Sequence, residues 1–335
     1  LEEAIATLRE AVAIYRKTGI ESGTFSNRLR VLAVYLDQQG SHDAEVEALF
    51  RESAAMNLRV VGKGGASSSL PVRQLGNFLR KRGRAAEADR IEDDLLEQMR
   101  STLGPDHHQT LISSYWLAWE HRNDNRADFA LRLAEETAKR AKAAYGPGDR
   151  VTNVAVDVFG LLMVNSGRTE EGVRLVAESL ANATAALGPD DSLVNSLTWD
   201  LANARREAGQ LTEARKLYEE RIALAKARLG ADTTPVAHLL RDNSEVLLRQ
   251  GEFAAAEAAL REAFPILEKN APSIFSRYFT QHLLGEAVAR QKRFEEAEPL
   301  LVDGGKEMMK RASTLDFRGK NRLMADATER VVRFY

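Results

Sequence analysis

No cysteine occurs among the 335 residues. Disulfides, thiol nucleophiles and cysteine-ligated zinc or iron–sulfur centres are therefore excluded. Net charge is equally scarce: 47 basic against 49 acidic residues leave −2, so no global field favours nucleic acid or an anionic membrane surface. No apolar run approaches the roughly eighteen residues of a spanning helix. Period-two alternation is missing, and so are a His-Glu-x-x-His zinc motif and the His-Arg-Asp and Asp-Phe-Gly motifs of kinases. Gly62-Lys63-Gly64-Gly65 has neither the spacing nor the preceding strand of a phosphate loop. Of the six histidines only His107 and His108 are adjacent, and neighbours at a helix start point in different directions, so capping or solvation is expected rather than chelation. We expect no catalytic residue, no metal and no cofactor within this segment, and no nucleic acid among its partners. What is present is 44% apolar residues, enough for a sizeable core and far from disorder. The chain opens LEEAIATLREAVAIYRK, a helical pattern already under way without an initiator Met, and is expected to be a piece of a longer, cytoplasmic protein.

The dominant signal is a period of 42 residues. Gly62, Gly104, Gly146, Gly188 and Gly230 form one column. Gly76, Ala118, Gly160, Ala202 and Ser244 form a second, with Ala33 and Gly285 one residue out of step. Twelve residues beyond these stand Ala88, Ala130, Gly172, Ala214, Ala256 and Ala297. A turn separates the last two columns, marked by Gly83, Gly167, Gly209 and Gly251, with Asn125 and Lys292 in the other slots. Glycine takes the left-handed conformation past a helix end without a Cβ penalty, so Lys292 is the poor fit. Pro105, Pro147 and Pro189 follow the first-column glycines, and Asp106, Asp149, Asp190 and Asp232 are expected to cap the next helices. Each period is thus two antiparallel helices, A and B, whose facing small residues let the backbones approach. The expected organisation is one array over 1–335: a leading B helix over 1–18, seven A/B pairs over 20–312, and a capping helix over 317–335.

A large residue then a small one in helix A, with Ala twelve further on, resembles the tetratricopeptide repeat: Leu75-Gly76 with Ala88, Leu117-Ala118 with Ala130, Leu201-Ala202 with Ala214. The ordinary repeat has 34 residues. The eight extra here, and the loops LGPDHHQT from Leu103 and LGPDDSLV from Leu187, resemble the kinesin-light-chain type. That resemblance implies an all-α, right-handed solenoid of antiparallel helix pairs, and a binding scaffold rather than an enzyme. The stretch FEEAEPLLVDGGKEMMKRAS from Phe294 is similar to closing repeats of arrays appended to bacterial serine/threonine kinases. Gly62 to Ser69 replaces the Gly-Pro-Asp loop and is a candidate hinge, and Asn243 stands where a large apolar residue of helix A belongs.

In such arrays the A helices build the concave face. Positions three before, one after and four after the small column share one helical stripe. Arginines 30, 73, 80, 122, 206, 241 and the adjoining 249 fall on it, against the acids Asp37, Asp157, Glu245 and Glu286, so the face reads as locally basic. Tyr115, Trp119 and Trp199 project onto it, whereas Trp116 is expected in the core. Arginine pairs carboxylates bidentately and indoles give area at low entropy cost, so the expected site is Arg73, Asn77, Arg80, Tyr115, Trp119, Arg122, Trp199, Asn203, Arg206 and Arg241, binding a protein or peptide segment with acidic and apolar residues. On this reading, replacing Trp119 and Arg80 abolishes capture without altering thermal unfolding. The alternative is a regulatory or oligomerisation arm of a larger enzyme, such as a serine/threonine kinase, contacting a fused domain within the same chain.

Overall fold

The computed structural model describes residues 1–40, 43–60, 69–122, 126–271, 275–312 and 328–329. Of the features expected from the sequence, His42, the Asn125 turn slot, nearly all of the Gly62–Ser69 hinge and nearly all of the capping helix over 317–335 lie outside them. Among the described residues there are fifteen helices of three or more turns and no strand. They are α1 (Glu2–Thr18), α2 (Gly23–Gln39), α3 (Asp43–Val60), α4 (Leu70–Lys81), α5 (Ala85–Leu103), α6 (His108–Glu120), α7 (Ala127–Tyr145) and α8 (Arg150–Asn165). The series continues with α9 (Thr169–Leu187), α10 (Ser192–Glu207), α11 (Leu211–Leu229), α12 (Thr234–Gln250), α13 (Phe253–Asn270), α14 (Phe275–Ala289) and α15 (Phe294–Ala312). Even-numbered helices are the A helices and odd-numbered ones the B helices. Two compact units result: Leu1–His121 with Asp128–Gly146, and Arg122–Ala127 with Pro147–Tyr335.

The small columns do what their size implies. Ala88, Ala118, Ala130, Ala202, Ala214, Ala256 and Ala297 are fully buried where A meets B. The approach is closest between α8 and α9: a methyl built on Gly172 would meet the Gly160 carbonyl oxygen at 2.5 Å and the Val164 nitrogen at 2.8 Å. Backbone atoms cannot swing aside as a side chain can. Gly172→Ala is therefore expected to destabilise the second unit by about 1–3 kcal/mol, seen as a lower urea midpoint, whereas Gly167→Ala at the neighbouring turn acts only through its φ of +89°.

Short turns also follow the pattern, since Gly83, Gly167, Gly209 and Gly251 have positive φ. Lys292, the poor fit, adopts the same left-handed conformation (φ 65°), alone among the described non-glycine residues. Capping differs from expectation. Asp149 accepts from the Val151 and Thr152 amides, but elsewhere the N-cap falls one residue later, at His107, Asp191 and Thr233. Asp106 and Asp190 instead pair with Arg140 and Arg228 across the loops.

Successive B helices are joined on their solvent side by ion pairs that recur at about 36 residues. Arg9 meets Glu45 at 2.8 Å, Arg51 meets Glu87 at 2.5 Å, Lys226 meets Glu262 at 2.5 Å and Arg261 meets Glu296 at 2.5 Å. Each such exposed pair is worth well under about 1 kcal/mol, so the buried A/B seams carry the stability.

Candidate functional site

Within each unit the A helices meet their successors in a constant register: a residue at position i touches one near i+43. In the first unit the Arg73 guanidinium lies 4.5 Å over the Trp116 ring and its Nη2 donates to Glu120 at 2.9 Å. In the second, Trp199 Nε1 donates to Asp242 Oδ2 at 2.9 Å, and Arg249 Nη1 donates to the Arg206 carbonyl at 2.9 Å. This register decides what the stripe presents.

In the first unit, Tyr115 is buried, its hydroxyl pushed up to about 12 by that burial, and its ring lies 5.7 Å from that of Trp116. Trp119 is half-buried. Trp116 is not a core residue as expected: it is 37% exposed, because the i+43 register sets it beneath Arg73 on the A-helix surface rather than in the A/B seam. Asn77 is half-buried on α4. Arg80 turns into the seam between α4 and α5. Its Nη1 donates to Glu92 Oε1 and its Nη2 to Glu92 Oε2 and Asp89 Oδ1, all at 2.6 Å. His121 Nε2 completes the group, 3.0 Å from Glu92 Oε2. Glu92 and His121 are buried. Burial alone would push the Glu92 carboxyl up, but hydrogen bonds from Arg80 and His121 hold it below its ordinary range. Gly76 makes the room, since a methyl there would overlap the Glu92 carboxylate. Asp89, Glu92 and His121 have the spacing of a three-ligand metal site, but the Arg80 guanidinium fills its centre and supplies the positive charge.

In the second unit, Trp199 is 40% exposed at the surface of α10. Asn203 donates to the Trp199 carbonyl at 3.0 Å and accepts from the Tyr218 hydroxyl at 2.8 Å. Arg206 lies 3.4 Å from both Glu245 and Glu207, and Arg241 donates to Asp242 at 2.6 Å. Arg122, half-buried, also falls in this unit. Arg73, Arg80, Arg206 and Arg241 are thus all paired with carboxylates of the chain itself, and their side chains are only 14–19% exposed.

Two constellations escaped the sequence reading. The first is the Arg80 cluster, in which Glu92 shares its 42-residue column with Ala134, Val176, Tyr218 and Leu260. A charged residue in an otherwise apolar column is a signal the sequence does carry. The second is Asp157 on α8 with Asp200 on α10. Asp157 is 5% exposed and its Oδ1 has no hydrogen-bond partner. Burial pushes its carboxyl well above the carboxylate range and the charge of Asp200 pushes it further. Burial raises Asp200 to about 7.

Comparison with known proteins places these helices in context. A family model described as the tetratricopeptide repeat matches residues 68–143 and 193–269. No curated protein matches the sequence significantly. Among solved structures, a Podosopora anserina kinesin-light-chain protein of nearly identical TPR-like repeats is 20% identical, with 60% of this chain and 95% of that one covered and a TM-score of 0.52. BtubC (BKLC) from P. vanneervenii is 14% identical over 78% of this chain and 91% of its own, with a TM-score of 0.52. A Rap protein complexed with competence and sporulation factor is 9% identical over 99% and 87%, with a TM-score of 0.51. None of the described helices is long and apolar enough to cross a membrane.

Proposed function

Since the chain carries tetratricopeptide repeats, in a fold shared with kinesin-light-chain-like proteins, we propose that it is a scaffold that binds protein or peptide segments on its A-helix faces. The observation that carries this reading is the pair of half-exposed indoles, Trp116 in the first unit and Trp199 in the second, each on an A-helix face. Each is oriented by a polar neighbour, Arg73 or Asp242. Exposed indoles held rigid supply contact area without an ordering cost on binding, which is what interface anchors require. The Rap structure of this fold, solved with competence and sporulation factor bound, supports the same use of the repeats. An apolar side chain of the ligand rests on the indole, with Tyr115, Trp119 and Asn77 around it in the first unit and Asn203 in the second. A ligand carboxylate engages Arg73 by exchanging with Glu120. Arg122, Arg206 and Arg241 set the shape of the second face through their internal pairs. No chemistry is assigned to the segment.

The test is selection of twelve-residue segments from a displayed library on the whole chain, followed by affinity measurement with synthetic copies. Trp116→Ala or Trp199→Ala is expected to weaken the selected segments at least tenfold, while the far-ultraviolet circular dichroism of each variant shows the native helix content. Segments that bind both variants as well as the native chain refute the indole assignment. Selection that yields no segment at all refutes the scaffold reading and favours a regulatory or oligomerisation arm.

A further inference from the structure

Two steps of the A-helix register join unlike groups: a guanidinium over an indole at Arg73 and Trp116, an indole N–H to a carboxylate at Trp199 and Asp242. The step from α8 to α10 does not. It puts Asp157 on α8 in register with Asp200 on α10, again 43 residues apart, so a carboxylate takes both positions of the step. The contact between α8 and α10 is direct. A buried acceptor left without a donor is costly, and native interiors avoid it. Yet Asp157, 95% buried, has an oxygen with no hydrogen-bond partner among the described residues. Asp200 is only half-buried, so the pair reaches solvent through it, and its sequence neighbour Trp199 is the exposed indole of the same face.

We propose that Asp157 and Asp200 form the receptor for a lysine or arginine side chain of the bound segment, seated beside Trp199. The inference rests on the scaffold reading above and names the ligand chemistry of its second face. An organic cation at Asp200 supplies what the pair lacks: positive charge beside two carboxylates, and N–H donors to the half-buried member through which the pair reaches solvent. The adjacent indole adds a π face against which the stem or the head of such a side chain packs. A metal ion fits less well, because the site offers two carboxylates, whereas the one three-ligand cluster found among the described residues is Asp89, Glu92 and His121, already filled by Arg80. The upward displacement of both carboxyls agrees with a site built for a cation and lacking one. The ligand chemistry is thereby divided between the faces: a carboxylate at Arg73 on the first unit, a cation at Asp157 and Asp200 on the second.

The experiment uses the full chain and the same displayed library. Segments selected on the native chain are expected to be enriched in lysine or arginine at one position. In synthetic copies, replacing that residue by glutamine should weaken binding at least tenfold. Asp157→Asn with Asp200→Asn, and Asp200→Asn alone as a milder variant, should weaken the native segment to the same degree. The glutamine segment should then bind the variants and the native chain equally, which marks direct contact. Segments selected without a basic residue, or bound equally by the asparagine variants, overturn this inference and leave the scaffold reading standing. Selection of no segment on the native chain overturns both.

Discussion

Arg80→Ala is expected to lower the stability of the first unit by about 3–5 kcal/mol, the range for breaking a buried ion pair from one side. The loss arises less from the missing attraction than from what is left behind. Glu92 is 2% exposed, sits where other repeats bury Ala134, Val176, Tyr218 or Leu260, and would retain a charge with neither water nor a guanidinium to balance it. Its carboxyl is held below the ordinary range in the folded state. A group depressed on folding stabilises above its unfolded pKa and loses that contribution as pH falls through the folded value, so the native chain's advantage over Arg80→Ala should shrink in acid. Removing both partners tests the explanation. Arg80→Met with Glu92→Leu replaces the pair by apolar volume and should recover most of the loss, as paired replacements of buried ions do. The measurement is a urea titration in a Trp199→Phe background, where Trp116 and Trp119 of the first unit are the only indoles left to report. A midpoint unchanged by Arg80→Ala would mean that the guanidinium is not needed at the seam.

The second unit should respond to pH in the opposite sense. Asp157 and Asp200 are both raised on folding, Asp200 to about 7 from its ordinary 3.8. A carboxyl raised on folding holds its proton more tightly in the folded chain. Its favourable contribution is intact below the unfolded pKa and is lost as pH climbs through the folded one, here between about 4 and about 7 for Asp200 and further for Asp157. Deprotonating the pair within that window therefore costs the folded unit stability. With Trp116→Phe and Trp119→Phe leaving Trp199 as the sole reporter, the unfolding midpoint should fall from pH 5 to pH 8. Asp157→Asn with Asp200→Asn should flatten the profile and be the more stable protein at pH 8. A native profile parallel to that of the double variant would show that the two carboxyls are ordinary.

Much of this architecture was legible because a repeat is read many times over. Columns of Gly and Ala at 42-residue intervals carry their steric cause with them, and Gly160 against Gly172 is the close approach they imply. Lys292 stood out in the turn column and takes the left-handed backbone that the column requires. The stripe was harder. Its members were found by helical geometry within one A helix, but their partners lie on the next helix at about i+43, a register set by side-chain packing between repeats. Hence Arg73, Arg206 and Arg241 read as a basic face, although Glu120, Glu245 and Asp242 neutralise them within the fold. The same register brings Trp116 to the surface. Arg80 was placed on the face by its spacing, and what turns it inward is a single glutamate in an apolar column. That is why its replacement is now expected to change thermal unfolding.

The ladder of ion pairs outside the B helices has a consequence for how such a chain changes length. In most of its rungs the cation stands on the earlier helix and the acid on the later one: Arg9 to Glu45, Arg51 to Glu87, Lys226 to Glu262, Arg261 to Glu296. Contacts of that kind are head-to-tail and have no built-in closure. A period that carries such a rung, duplicated in frame, would arrive with an acidic edge for its predecessor and a basic edge for its successor. At those rungs the outer surface accepts gain or loss of a complete period, whereas an insertion of another length would take the partners out of register.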